Sequence, residues 1–80
     1  MKGVKHMEIG KRIKQIRKSK GITATFMSEQ LGFKSVSSYS RYENGESTIS
    51  LERGMQIAQL LDVDIKLFFD RNLLDSRNVM

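Results

Sequence analysis

Residues 23–45 read TATFMSEQLGFKSVSSYSRYENG, and the placing of hydroxyls and glycines along this stretch decides the fold. Thr23 can accept a backbone N–H as an N-cap, which opens a short helix from Ala24 to Leu31 with Met27 and Leu31 four residues apart on one face. Gly32 ends that helix, and Phe33 and Lys34 form a tight connection. Ser35 can then cap a second helix that runs to Asn44 and stops at Gly45. Tyr39 and Tyr42 fall on its inward side, which suits core positions better than rings stacked on bases.

Working upstream, Ile9, Ile13 and Ile16 recur at intervals of four and three, so residues 7–18 predict an amphipathic first helix with Lys11, Arg12, Lys14 and Lys18 mostly off its apolar face. Gly21 follows as a left-handed C-terminal residue, after a last turn whose lysines suit the negative end of the helix dipole. Downstream, Ser50 is an N-cap candidate with Glu52 in the first turn behind it. Leu51, Met55, Ala58 and Leu61 are expected to line one face of that helix, widened by Ile57 and Leu60, as the floor of the core. Gly54 inside it costs about 1 kcal/mol relative to alanine, which suggests a close approach between backbones. Asp64 can cap a fifth, short helix containing Ile65, Leu67, Phe68 and Phe69.

The expected organisation is a mobile basic arm over residues 1–7, one all-α domain over residues 8–69, and an extension over residues 70–80. That extension reads either as a helix used in pairing or as a frayed tail. Two short helices separated by a glycine-led turn, flanked by three more, give the helix-turn-helix pattern within a compact five-helix bundle.

Composition agrees with an all-helical, economical fold. The 80 residues include no proline and no cysteine, so neither disulfides nor a thiolate metal site can contribute, and a reducing cytoplasm is the natural compartment. A chain this short buries only about 60% of its unfolded surface, so apolar packing must hold it together. No apolar run approaches the roughly 18 residues needed to span a bilayer. The net charge of +5 is unevenly spread: residues 1–20 carry eight Lys or Arg against Glu8, and residues 21–80 carry six against eight acids. Such a basic segment suits a polyanion, either nucleic acid or an anionic membrane, although a solvated helix face gives the same pattern. The membrane reading is the weaker, because the apolar side of the first helix is needed inside. With one histidine, His6, no cysteine and scattered acids, no catalytic constellation is expected, nor any cofactor or metal.

The order of five helices, together with particular residues, resembles the phage-repressor-like helix-turn-helix regulators, the Cro/repressor or xenobiotic-response-element class. The resemblance covers residues 8–69 and is carried by Ile9-Gly10-Lys11-Arg12-Ile13-Lys14-Gln15-Ile16-Arg17, Lys20-Gly21-Ile22-Thr23, Leu31-Gly32, Ser40-Arg41-Tyr42-Glu43-Asn44-Gly45, Ser50-Leu51-Glu52 and Ile57-Ala58-Gln59-Leu60-Leu61-Asp62-Val63-Asp64. Three departures stand out: Ala24 occupies a position where the family usually has a phosphate-contacting glutamine, the connection from Gly32 to Ser35 is one residue longer than the common form, and Phe26 stands where a polar residue is usual. Phe26 is read as partial cover for the core, the other reading being a partner contact.

The resemblance implies a lambda-repressor-like domain in which the second and third helices form the helix-turn-helix and the third enters the major groove of an operator. The base-contacting positions are then Val36, Ser37, Ser38 and Arg41. Arginine can grip the two guanine acceptors, serine can donate or accept, and valine can lie against a thymine methyl. Solvated surface and capping roles are the plainer readings of Arg41 and of the serines. Phosphate contacts are expected from Thr23, Lys34, Ser35, Asn44, Lys11 and Arg12. The resemblance also implies a structural ion pair of Arg17 with Glu43, and because one such domain contacts only a half-site a homodimer is expected, with the apolar stretch of Phe68, Phe69, Leu73 and Leu74 as its candidate seam. The function implied is that of a small, bacterial or phage-encoded transcriptional regulator, a repressor, that binds double-stranded DNA. The rival is a protein-interaction module of antitoxin-like or regulator-sequestering kind, for which Ala24, Phe26 and Val36 are apolar enough.

Overall fold

The computed structural model describes residues 5–69, which form five α-helices: α1 Lys5–Ser19, α2 Ala24–Gln30, α3 Val36–Glu43, α4 Leu51–Leu61 and α5 Lys66–Phe69. No strand occurs among the described residues. Helix α1 starts at Lys5, so Lys5–Met7, expected in a mobile arm, are helical. The run Lys5-His6-Met7-Glu8 contains no breaker, and helix propagation needs no apolar periodicity at its end.

Side-chain hydroxyls cap two of the helix starts. The Thr23 hydroxyl accepts the Phe26 N–H at 3.0 Å, and the Ser50 hydroxyl accepts the Arg53 N–H at 3.1 Å. Ser35 sits at the N-cap of α3 with extended backbone but makes no side-chain cap bond; its hydroxyl lies 3.1 Å from that of Ser37 and 3.4 Å from that of Ser38. Asp64 accepts the Lys66 N–H at 3.0 Å and so opens α5.

The ends of α1, α2 and α3 share one pattern, in which the residue after the cap is a left-handed glycine and two N–H groups turn back onto the last carbonyls. At the end of α2, Gly32 (φ +84°) donates to Glu29 and Phe33 donates to Ser28. At α4 the cap residue itself, Asp62, is left-handed with φ 59° and makes the reversal. A short polar side chain tolerates that conformation better than most, though not as freely as glycine.

Ile13, Met27, Tyr39, Ile57, Leu61 and Phe68 have no exposed surface, and Ile49 and Ala58 complete the buried core. Fully burying an apolar side chain of this size contributes about 1.5–3 kcal/mol. The inward face of α4 differs from the expected one: Gly54, Ile57, Ala58 and Leu61 are buried, whereas Leu51 is 66% and Met55 54% exposed. Gly54 turns the helix in this direction because its missing side chain admits the Phe69 ring and Ile65; a Cβ there would stand 3.1 Å from the ring. The close approach at Gly54 is therefore to side chains. Backbone meets backbone at Gly10, where a Cβ would fall 2.5 Å from the Glu43 carbonyl oxygen and 2.8 Å from its carbon. Helix α1 can cross the end of α3 this tightly only because residue 10 has no side chain.

Candidate nucleic-acid interface

The α1–α3 crossing brings Arg17 onto Glu43. Arg17 Nε donates to Glu43 Oε2 at 2.7 Å and Nη2 to Oε1 at 3.1 Å, a two-pronged pairing, while Nη1 donates to the Ile22 carbonyl at 2.8 Å. Arg17 is 8% and Glu43 6% exposed, so the pair is almost wholly out of water. The Tyr39 hydroxyl donates to Glu43 Oε2 at 2.5 Å, and no buried side-chain polar atom among the described residues lacks a partner. The bond to Glu43 raises the Arg17 pKa against the opposing effect of burial. Burial first, and the bond to Glu43 second, push the Tyr39 phenol well above its ordinary value of 10.0.

This lock holds α3 by its inner side and its carboxyl end. Its leading end is left open: Ser35 and Ser37 are exposed, Val36 and Ser38 half-buried, and Arg41, one turn on, exposed. The hydroxyls of Ser35, Ser37 and Ser38 form a small cluster there. Such a surface offers donors, acceptors, one methyl-bearing side chain and one guanidinium, which is the chemistry needed to read base edges. Thr23, Lys34 and Asn44 are all exposed, and Thr23 also caps α2.

Other expected positions fall elsewhere. Lys11 is exposed on α1. Arg12 donates through Nη1 to the Phe68 carbonyl at 2.9 Å, which ties α1 to the end of α5. Phe68, expected at a dimer seam, is wholly buried within its own chain. Phe69 is 39% exposed, and Leu73 and Leu74 lie outside the described residues. Phe26 is 42% exposed on α2.

The bond of one residue and the whole role of another went unread in the sequence. Tyr39 was taken for core alone, yet its spacing of four from Glu43 on one helix is a readable signal for the bond its hydroxyl makes. Arg53 was not singled out at all. Its guanidinium carbon stands 4.8 Å from the centroid of the Phe33 ring and 5.9 Å from that of Tyr42.

A helix-turn-helix family model matches residues 13–68, which takes in the crossing, the turn, the open end of α3 and the core beneath them. The chain belongs to the lambda repressor/Cro-like helix-turn-helix family. No curated protein and no solved structure matches it. Family membership makes the chain a DNA-binding helix-turn-helix regulator, with α2 and α3 as the paired helices. Among the described residues, no helix is long and apolar enough to cross a membrane and no cluster of three or more His, Cys, Asp or Glu forms.

Proposed function

We propose that this protein binds double-stranded DNA sequence-specifically as a small transcriptional repressor, with α3 lying in the major groove. The observation that carries this reading is the division of α3 into a locked inner side, Tyr39 and Glu43, and an open polar leading end. Arg41 supplies the strongest base contact and Ser37, Ser38 and Val36 the rest, while Thr23, Lys34, Ser35, Asn44 and Lys11 set register on the phosphates. The active form is a homodimer, because one such domain covers a half-site and two-fold pairing places half-sites about 34 Å apart. Phe69 is the exposed seam residue among those described.

Selection of bound sequences from a random duplex pool, repeated with Arg41→Ala, tests the reading. The parent enriches a motif; the variant loses discrimination at one position, at a cost of about 1–3 kcal/mol. No enriched motif, together with binding indifferent to salt, defeats it. The exposure of Phe26 beside Ala24 favours a second reading, a polypeptide partner on α2, which that outcome would bring forward.

A further inference from the structure

We propose that Arg53, on α4, is a positioning residue for DNA recognition: it clasps the turn between α2 and α3 and so sets the angle at which α3 is presented. The inference rests on the DNA-binding reading above. One guanidinium reaches all three parts of the motif. Nη1 faces the Leu31 carbonyl, at the cap of α2, at 3.5 Å; the charged group lies over Phe33 in the turn at 4.8 Å; and it stands 5.9 Å from the Tyr42 ring on α3. Phe33 and Tyr42 themselves meet, with centroids 5.8 Å apart and planes tilted by 48°. Nη1 also donates to Gln56 Oε1 at 2.9 Å, which orients the side chain from its own helix.

The contact to Leu31 is at the long limit of a hydrogen bond, so the two rings carry most of the arrangement. Both ring distances lie within the roughly 6 Å over which a cation is drawn to an aromatic face. A planar guanidinium suits two rings better than an ammonium does.

The clasp matters because the backbone of the turn is thinly held. Phe33 donates to Ser28 at 3.0 Å, but among the described residues neither Lys34 nor Ser35 donates a backbone hydrogen bond. From Phe33 to Val36 the chain depends on what grips the aromatic pair. An eight-residue helix is about 12 Å long, so a tilt of about 10° about its Tyr42 end moves the leading residues by about 2 Å. That displacement exceeds the tolerance of a hydrogen bond to a base edge. Loosening Arg53 therefore costs recognition without removing any group that touches DNA.

The experiment uses the full chain with Arg53→Met, which keeps an apolar stem, and Arg53→Lys, which keeps the charge. Kd is measured for the selected duplex and a scrambled one across a salt series well below the melting range, and amide exchange is followed at Lys34 to Ser38 without DNA. Arg53→Met is expected to weaken selected-duplex binding roughly tenfold and scrambled binding far less, with the salt slope unchanged and exchange at the turn accelerated. Arg53→Lys falls between variant and parent. A salt slope reduced by about one phosphate makes Arg53 a DNA contact and overturns the proposal, as does an unchanged Kd or an equal loss on both duplexes. Should the parent prefer no duplex, the DNA reading fails separately. The exchange then decides the clasp: acceleration confined to the turn supports it, and unchanged or uniformly faster exchange overturns it.

Discussion

Replacing Glu43 by alanine removes the acceptor for two Arg17 bonds, at 2.7 and 3.1 Å, and for the Tyr39 hydroxyl. Breaking a buried pair from one side costs about 3–5 kcal/mol, because the remaining charge stays desolvated and uncompensated. Arg17 keeps its bond to the Ile22 carbonyl at 2.8 Å, which places the loss near the lower end, about 3 kcal/mol. A domain of this length has a total stability of about 4–12 kcal/mol, so the change removes a large part of it. At about 4–8 °C per kcal/mol, the melting temperature falls by about 12–24 °C, read by far-ultraviolet circular dichroism. The companion double variant, Arg17→Met with Glu43→Met, replaces the pair by apolar groups and is expected to lose less than either single methionine change, since no charge is stranded. A drop under about 4 °C for Glu43→Ala, or a double variant as weak as the sum of its singles, refutes the reasoning.

Two further outcomes follow from the same crossing. Tyr39 holds its proton more tightly in the folded chain than its ordinary value of 10.0 allows, through burial and then Glu43, so it contributes fully below about pH 10. Above that, the unfolded chain releases a proton the native state retains, and stability falls by up to about 1.4 kcal/mol per pH unit; Tyr39→Phe should show a shallower decline in urea midpoints from about pH 10 to 11.5, and equal slopes would count against the assignment. At Gly10, alanine forces its Cβ against the Glu43 carbonyl and should cost about 1–3 kcal/mol by urea unfolding, whereas Gly54→Ala meets the yielding edge of Phe69 and should stay within about 1 kcal/mol of the parent. Gly10→Ala melting like the parent would mean that α1 and α3 do not cross so closely.

The order and type of the five helices could be read from the sequence because their starts and stops are local. Thr23 and Ser50 cap as expected, and Gly21, Gly32 and Gly45 take the left-handed turns that end three helices. Ser35 fails as a side-chain cap because two neighbouring hydroxyls compete for it, and Asp62 reverses the chain without the glycine that would have signalled it. The facing of α4 was misjudged in part, at Leu51 and Met55, for a different reason. Leu51, Met55, Ile57, Leu60 and Leu61 put apolar groups around more than half of the helix, so periodicity alone does not select the inward stripe. The choice falls to Gly54 and the incoming Phe69. Arg12 and Arg53 lie further from view, since the Phe68 carbonyl and the Phe33–Tyr42 pair reach them only across the folded chain. Within the candidate site, the exposure of Ser37 and Arg41 on α3 agrees with the positions that the family resemblance implied when aligned from Glu43.

The placing of these groups separates what holds α3 from what α3 presents. Tyr39 and Glu43 anchor it from beneath, Tyr42 from the side, and Gly10 allows the crossing that makes the anchor tight. Ser35, Ser37 and Arg41 bond to nothing in the core: the serine hydroxyls meet only each other, and all three side chains are exposed. Substitution at such positions usually changes stability by no more than about 0.5 kcal/mol, whereas the anchors are worth several-fold more. A chain built this way can change what its leading end recognises while its fold stays put. Changes at Gly10, Arg17 or Glu43 are expected to act on the whole protein, and, on the DNA-binding function proposed above, those at Ser37 or Arg41 on the choice of sequence.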